Sequence, residues 1–170
     1  VEMLAQDLTK GTGGNVSARS GDRVVINPSG VPYDEVTASN VPIVNIQGEQ
    51  VAGALKASTE TPMHTEIYRR RGDVGGIVHT HSPYATTFAS LSEPVPASHY
   101  LIAFAGDQVP LAPYEEPAST ALGRAAAEAL GDDYNACLLE NHGTIAVGPT
   151  PEAALEVALM TEYCARIEYQ

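Results

Sequence analysis

Lysine is nearly absent from this chain of 170 residues, which contains only Lys10 and Lys56. Its 9 lysines and arginines face 21 acidic side chains, so the formal net charge is −12. Nucleic acids and acidic membrane surfaces bind basic patches, and this charge therefore excludes both as expected partners. The arginines at 69–71 form a basic cluster, but they end a predicted helix, where positive charge stabilises the helix dipole.

Long hydrophobic runs are also missing, since no apolar stretch approaches the roughly 20 residues of a membrane-spanning helix. The first residues lack the basic segment that begins a secretory signal. We therefore expect a cytosolic protein without a membrane partner. The two cysteines, Cys137 and Cys164, lie in apolar segments, which favours buried reduced thiols over a disulfide.

The remaining composition is ordinary for a globular protein, with 44% hydrophobic and 18% charged residues. A chain of this length has room for one hydrophobic core, and we expect one domain over residues 1–170. Residues 1–10 have the pattern of the last turns of a helix that Gly11 ends, and the final helix has no stop signal. Both ends therefore predict a domain taken from a longer protein.

Strand-like and helix-like patterns alternate along the chain. Strands are predicted at 15–18, 23–27, 41–46, 51–55, 74–80, 137–140 and 144–147, with an extended segment at 95–100. Helices are predicted at 1–10, 61–71, 83–91, 118–130 and from 151 onward. Several strand pairs are joined by connections too short for parallel crossovers, so we expect an α/β domain whose helices cover a mostly antiparallel or mixed sheet.

Three histidines stand at predicted strand ends. His79 and His81 flank one residue of a strand, which alternates faces, so both rings point to the same side. A lone pair of this kind favours ordinary hydrogen-bonded core or surface histidines over a metal site. The third histidine, His142, also ends a strand, and three converging neutral imidazoles favour a metal site that Glu60 could complete.

Two further segments have the chemistry of an anion site. The loop 11–17 is rich in glycine, whose backbone N–H groups can approach an anion closely, and Asn15 adds a side-chain donor. Residues 57–60 bring two hydroxyl groups to the start of a helix, where negative charge is stabilised. A plain glycine turn and an ordinary helix cap explain these segments equally well.

Taken together, the motifs resemble those of the class II aldolase/adducin family, in order and approximate spacing and over nearly the whole chain. The resemblance is carried by Thr12-Gly13-Gly14-Asn15-Val16-Ser17, Pro28-Ser29-Gly30, Ser58-Thr59-Glu60, Gly76-Ile77-Val78-His79-Thr80-His81-Ser82, Pro96-Ala97-Ser98-His99-Tyr100 and Glu140-Asn141-His142-Gly143. Within the family, the motifs are most similar to those of the aldolases that act on L-fuculose 1-phosphate.

The resemblance implies a three-layer α/β/α fold, a divalent metal and a homotetramer with active sites between subunits. The metal would be zinc in most members, with manganese or cobalt as alternatives. By motif match, His79, His81 and His142 would bind this metal. Glu60 would be a fourth ligand that leaves when the substrate arrives.

The resemblance also assigns a phosphate site and a proton donor. The residues that would hold the substrate phosphate are Asn15, Ser29, Gly30, Ser58 and Thr59. At position 29 the family often carries threonine, and serine retains the hydroxyl group. Tyr100 matches a tyrosine that reaches into the site of the neighbouring subunit as a proton donor.

The implied reaction is the cleavage of a phosphorylated ketose, such as L-fuculose 1-phosphate, to dihydroxyacetone phosphate and an aldehyde. Breaking the carbon–carbon bond leaves an enolate, which needs a lysine iminium or a Lewis-acid metal as its electron sink. Lys56 lies near the site motif and stays a candidate, but three histidines favour the metal. Glu60 would then move the proton at the nucleophilic carbon, and a tyrosine would serve the aldehyde oxygen.

Three alternatives remain within the family. A ribulose-5-phosphate 4-epimerase tends to carry aspartate at the position of Glu60, whereas a methylthioribulose-1-phosphate dehydratase fits a glutamate. An adducin-like interaction domain would have lost the site, and the intact histidines argue against it. His64, four residues after Glu60, suits a core or supporting role better than a metal ligand, and the role of His99 is open.

Overall fold

The structure, a computed structural model, describes residues 2–170 and is built around one eight-stranded sheet. The strands are β1 (Asn15–Ser20), β2 (Arg23–Ile26), β3 (Ile43–Asn45), β4 (Gln50–Ala52), β5 (Gly76–Thr80), β6 (Leu111–Ala112), β7 (Ala136–Leu139) and β8 (Gly143–Gly148). The helices are α1 (Glu2–Ala5), α2 (Thr61–Arg70), α3 (Pro83–Leu91), α4 (Thr120–Leu130) and α5 (Pro151–Tyr169), with short 3-10 helices at Tyr33–Glu35 and Tyr100–Phe104.

The order of the strands is β4-β3-β2-β1-β5-β8-β7-β6. Every neighbouring pair is antiparallel except β6 and β7, which run parallel. The turn at 21–22 joins β1 to β2 as a hairpin, in agreement with the glycine signal in the sequence. The prediction of a mixed, mostly antiparallel sheet is confirmed.

Helices cover both faces of this sheet, because side chains alternate between the faces along each strand. Ile77 of β5 packs in a cluster with α2 and α4. Its neighbour Val78 packs in a second cluster with α3 and α5. The result is the expected three-layer α/β/α arrangement. His79 lies two residues after Ile77 on β5, so its side chain is on the same face of the sheet, the one covered by α2.

Helix boundaries follow local chemistry. Pro62 occupies the first turn of α2, where its missing N–H has no partner to lose. Ser119 caps α4 by accepting a hydrogen bond from the backbone N–H of Leu122 at 3.0 Å. None of the described helices is both long and apolar enough to cross a membrane. The two cysteines are free and buried, as expected.

Some predicted boundaries are wrong. The first helix ends at Ala5 instead of Lys10, because Asp7 adopts a left-handed conformation with φ of 58°; Val1 lies outside the described residues. The segment 95–100 is not one extended strand, since Val95 forms an isolated bridge with Val109 and Tyr100 begins a 3-10 helix. The two-residue strand β6 has no sequence pattern of its own.

Candidate active site

Three imidazole rings meet where β5 and β8 lie side by side. His79 belongs to β5, His81 follows that strand, and His142 lies in the turn between β7 and β8. The ring centre of His79 is 4.8 Å from those of His81 and His142, which are 5.3 Å from each other. One ring nitrogen of each lies within 4.8 Å of the others, so the three rings could hold one metal ion.

The turn that carries His142 has a demanding backbone. Asn141 is left-handed with φ of 56°, a conformation that asparagine adopts more readily than most residues. At Gly143, a side chain would overlap the carbonyl oxygen of Thr80 and approach Cδ2 of His81 to 2.8 Å. The sequence Asn-His-Gly therefore allows His142 to lie against the strand that carries the other two histidines.

His79 is fully buried, and its surroundings decide which ring nitrogen carries the proton. Nδ1 lies 2.8 Å from the carbonyl oxygen of Thr144, which can only accept, so Nδ1 donates and Nε2 keeps its lone pair. Burial lowers the pKa of His79 to about 4 and also lowers that of His81. Both rings are therefore neutral near pH 7, as nitrogen ligands of a metal must be.

Glu60 immediately precedes α2 and extends its carboxylate between two histidines. Oε2 lies 3.3 Å from Nε2 of His79, and Oε1 lies 3.2 Å from Nε2 of His142. Burial opposes ionisation of this carboxyl, but the hydrogen bonds with His142 and Asn15 help to outweigh burial and lower its pKa below the usual range. The carboxylate is ionised near pH 7 and can act chemically as a metal ligand or as a base.

The glycine loop packs directly against β5. The antiparallel register places Asn15 opposite His79. Gly14 has a φ of 67°, and a Cβ at this position would lie 2.6 Å from the carbonyl oxygen of His79. Only glycine allows this close approach of two backbones, so the loop is more than a plain turn and brings the Asn15 side chain to Glu60.

The five residues predicted to bind phosphate line one cleft together with Glu60, His81 and His142. The five are Asn15, Ser29, Gly30, Ser58 and Thr59. Two backbone hydrogen bonds join distant parts of this lining: the N–H of Ser29 donates to Lys56 O at 3.0 Å, and that of Ser58 donates to Asn27 O at 3.2 Å. The two segments thereby present their hydroxyl groups to the same cleft.

Sequence reasoning missed two groups at this site. Asn27 lines the cleft and accepts a hydrogen bond from the backbone N–H of Val16 through Oδ1, at 2.8 Å. The carbonyl of Thr144 orients His79. A backbone carbonyl has no residue signature, and an asparagine beside a Pro-Ser-Gly turn is typical of many loops. Lys56 is exposed, and the described lining of the cleft contains no lysine.

Three other predicted residues lie outside the histidine cluster. Tyr100 is 79% exposed and is absent from the described lining of the cleft. Its ring stacks on His99 with 4.6 Å between ring centres, and His99 contacts Tyr163 in turn at 5.6 Å. His64 is fully buried and hydrogen-bonds to Asn15, in agreement with the expected supporting role.

Residues 2–169 match the family described as Class II Aldolase and Adducin N-terminal domain. The chain belongs to this family. Class II aldolases use a divalent metal, and the three imidazoles with their facing nitrogens fit that requirement. The resemblance expected from the motifs is confirmed.

Named relatives of the chain are aldolases. It is 47% identical, over 99% of its own length and 80% of the relative, to a 5-deoxy-D-ribulose 1-phosphate aldolase from Bacillus thuringiensis serovar kurstaki. It is 39% identical, over 96% and 74%, to a 5-methylthioribulose-1-phosphate/5-deoxyribulose-1-phosphate aldolase from Rhodospirillum rubrum. A solved L-fuculose 1-phosphate aldolase superposes with a TM-score of 0.93 at 40% identity, covering 98% of this chain and 79% of that one.

These likenesses confirm the prediction of an enzyme of the class II aldolase type, a lyase acting on sugar phosphates. They favour catalysis over the adducin-like interaction domain. Because the relatives act on different ketose phosphates, the substrate of this chain is a separate question.

Proposed function

We propose that this chain is a metal-dependent aldolase that cleaves a short ketose 1-phosphate to dihydroxyacetone phosphate and an aldehyde. The observation that carries the proposal is the placement of Glu60. Its carboxylate lies within 3.3 Å of two imidazole nitrogens and lines the same cleft as the predicted phosphate-binding residues. A ligand set and a base thus adjoin an anion site.

His79, His81 and His142 would hold the metal, which we propose to be zinc because three nitrogen ligands are typical of catalytic zinc. Manganese and cobalt are the alternatives. Glu60 would be the fourth ligand and would leave when the ketose binds. When bound, the metal would act as a Lewis acid that draws electron density from the ketose carbonyl.

The proton transfers fall to two side chains of the protein. In synthesis, the ionised Glu60 removes the C–H proton of dihydroxyacetone phosphate, the carbon–carbon bond forms, and the hydroxyl of Tyr100 donates its proton to the aldehyde oxygen. Cleavage is the reverse: the phenolate form of Tyr100 takes the proton of the hydroxyl on the carbon that becomes the aldehyde, and the carbon–carbon bond breaks. Glu60, which takes up a proton from solvent after the ketose displaces it, gives that proton to the carbon of the three-carbon half, and Tyr100 releases its proton to solvent, so no net proton is consumed.

The phosphate would be held by the side chains of Asn15, Ser29, Ser58 and Thr59 and by the backbone at Gly30. Ser58 is buried, and its Oγ accepts from the backbone N–H of Glu60 at 3.2 Å, which fixes the hydroxyl beside the base. Its O–H can then donate to a phosphate oxygen. A phosphate bound here would set the distance between the ketose and Glu60.

For the substrate, we propose 5-deoxy-D-ribulose 1-phosphate first and L-fuculose 1-phosphate second. The proposal follows the names of the relatives, of which the deoxyribulose aldolase shares 47% identity. Epimerase and dehydratase activity are the competing outcomes. Glu60 favours aldolase over epimerase, since the epimerases of the family tend to carry aspartate there.

Tyr100 fits this scheme if it serves the site of a second copy of the chain. It is 79% exposed and stands apart from its own cleft. We therefore propose a homotetramer with sites between subunits, as the family resemblance implies. The cytosolic location also stays a prediction.

A product assay tests the proposal. The purified protein, stripped of metal and reloaded with zinc, manganese or cobalt, is given 5-deoxy-D-ribulose 1-phosphate, L-fuculose 1-phosphate, 5-methylthioribulose 1-phosphate and L-ribulose 5-phosphate. We expect metal-dependent release of dihydroxyacetone phosphate from a 1-phosphate. Inversion at carbon 4 of the 5-phosphate, or loss of water with the carbon chain intact, would contradict the aldolase proposal and identify the alternative.

A further inference from the structure

A chain of buried hydrogen bonds runs from Glu60 into the interior between β1 and α2. Nδ2 of Asn15 donates to Oε2 of Glu60 at 2.6 Å, and Oδ1 of Asn15 lies 2.5 Å from Nε2 of His64. Nδ1 of His64 lies 2.6 Å from Oγ of Ser17, which lies 2.8 Å from the hydroxyl of Tyr68. Five polar side chains are therefore linked in sequence, and four of them are buried.

The spacing of residues along the helix and along the strand explains why this series of hydrogen bonds forms. Glu60, His64 and Tyr68 recur every four residues, which is about 6 Å of rise along a helix. Asn15 and Ser17 are two residues apart, which is about 6.6 Å along a strand. Because the two repeats match, each strand side chain lies between two helix side chains.

The donor and acceptor roles along this series of hydrogen bonds follow from the carboxylate of Glu60 at its end. An ionised carboxylate only accepts, so Asn15 must present its NH2 group there and its Oδ1 to His64. His64 must then donate from Nε2. Burial lowers the pKa of His64 to about 3, so the ring is neutral near pH 7 and Nδ1 accepts from the hydroxyl of Ser17. The oxygen of Ser17 in turn accepts from Tyr68.

We propose that His64 is a positioning residue that fixes the side-chain amide of Asn15, so that its NH2 group permanently faces Glu60 and the cleft. Glu60 accepts from one end of the amide and His64 donates to the other; without His64, Oδ1 would lose its partner and only Glu60 would hold the amide, so the NH2 group could turn away from the carboxylate. One N–H of the correctly oriented amide holds Glu60, and the other is free to face a phosphate oxygen. The inference rests on the proposed function, in which Glu60 is the base.

The burial of His64 supports the positioning of Asn15 over a role in which the ring only occupies volume in the core. The ring is 0% exposed, so both of its nitrogens must find partners within the protein. An apolar side chain of similar size would fill the same volume but leave Oδ1 of Asn15 unpaired. An amide at position 64 can still donate to Oδ1, which makes glutamine the conservative replacement.

The test compares His64→Leu, His64→Gln and the matched control Thr65→Val. Thr65 is also buried on α2, but its hydroxyl only donates to helix carbonyls of Thr61 and Pro62. The readouts are zinc content, thermal unfolding, and the rate at which dihydroxyacetone phosphate exchanges its C–H proton with deuterated water. We expect His64→Leu to keep zinc and lower exchange roughly tenfold, the effect of one hydrogen bond to a charged group. His64→Gln should stay within about threefold of wild type, and Thr65→Val should match wild type.

A double-mutant cycle with Asn15→Ala separates positioning from a general loss of structure. If His64 acts through Asn15, the double variant His64→Leu/Asn15→Ala should exchange at the same rate as Asn15→Ala alone. If the effects of the two substitutions on the exchange rate multiply in the double variant, the inference is overturned. Unchanged exchange in His64→Leu would also overturn it. The nitrogen chemical shifts of His64 in the metal-free protein give a second readout, and the inference requires the Nε2–H tautomer.

These readouts also separate the inference from the proposed function. A wild-type protein that binds zinc but shows no exchange and no cleavage would refute the proposed function. In that case the tautomer of His64 still decides the inference, because it is measured without substrate or metal. The Nδ1–H tautomer would overturn the inference.

Discussion

The cleft at Glu60 and the surface at Tyr100 differ in what holds them. In the cleft, His79 is buried in a central strand, and Glu60 is joined to neighbouring elements through three side chains. At the surface, Tyr100 is 79% exposed, and its ring contacts the half-buried His99. One chain therefore brings the proposed metal ligands and the proposed base together in one cleft, whereas Tyr100 faces solvent.

This difference indicates which steps one chain could perform alone. The proposed metal ligands and the proposed base are placed by strand pairing and by α2, so in this scheme the proton step at dihydroxyacetone phosphate would need only this chain. Breaking the carbon–carbon bond would need Tyr100 as well, and this residue would act in a second copy. Variants of the two regions should therefore differ in the step that they lose.

The largest effect is expected from the histidines. His79→Ala or His142→Ala should each lose the bound metal and lower the cleavage rate by about 10³-fold or more, because a Lewis acid contributes several kcal/mol to catalysis. Metal content by mass spectrometry and a cleavage assay provide the measurement. His99→Ala is the control, and it should keep its metal. Full metal occupancy in both cleft variants would refute the ligand assignment.

The next effect concerns Tyr100. Tyr100→Phe should lower cleavage by roughly 10²-fold, the contribution of a positioned proton donor, while the deuterium exchange of dihydroxyacetone phosphate stays near the wild-type rate. Loss of both activities together would place Tyr100 in a different role.

Mixing of variants tests whether Tyr100 serves a neighbouring copy. Glu60→Gln and Tyr100→Phe, each nearly inactive, are unfolded together and refolded as mixed oligomers. If the sites lie between subunits, roughly a quarter of them pair an intact Glu60 with an intact Tyr100, and cleavage should recover to about that level. A mixture as inactive as its components would contradict sites shared between subunits.

A smaller effect is expected at the anion site. Ser58→Ala should raise KM for the phosphorylated ketose roughly tenfold with little change in kcat, because the hydroxyl contacts the phosphate equally in the ground state and the transition state. Ser90→Ala, an exposed hydroxyl on α3, is the control. Steady-state kinetics with and without the phosphate group on the substrate measure the effect. An unphosphorylated ketose cleaved as efficiently as the phosphorylated one would refute the phosphate site.

The smallest effect is on acid stability. Burial lowers the pKa of His64 to about 3, from an ordinary value of 6.5. Between these values the imidazole of His64 is protonated in the unfolded chain but not in the folded chain. The contribution of this group to the free energy of unfolding is therefore fully present above pH 6.5 and is lost as the pH drops. One such proton costs about 1.4 kcal/mol for each pH unit. Denaturant unfolding of His64→Gln should show a pH dependence that is less steep by about this amount, and an identical slope would contradict the burial of a neutral His64.

The sequence predicted most of the cleft, because its signals are local. The strand period brings His79 and His81 to one side, and α3 begins at Pro83 and ends at Leu91 as its pattern indicates. The glycines and Asn141 mark turns that only a few residues accept. Such features can be predicted from the local sequence without knowledge of the tertiary fold.

The rest depends on contacts between distant segments. The bridge between Pro28 and Ala57 joins two motifs that no short-range pattern connects. The chain from Glu60 to Tyr68 needs the register of β1 against α2, and β6 exists only because Leu111 pairs with Leu138. The first helix ends early at the left-handed Asp7, and the next residue, Leu8, packs in the hydrophobic core.

Deuterium exchange by Glu60→Gln tests the central claim most directly. Glutamine keeps the size and a carbonyl oxygen but cannot accept the proton, while three histidines should still hold the metal. We predict a metal-loaded variant in which exchange of the C–H proton of dihydroxyacetone phosphate falls by roughly 10²- to 10⁴-fold, the usual contribution of a positioned base. Exchange at the wild-type rate in the metal-loaded variant would show that Glu60 is not the base and would contradict the account.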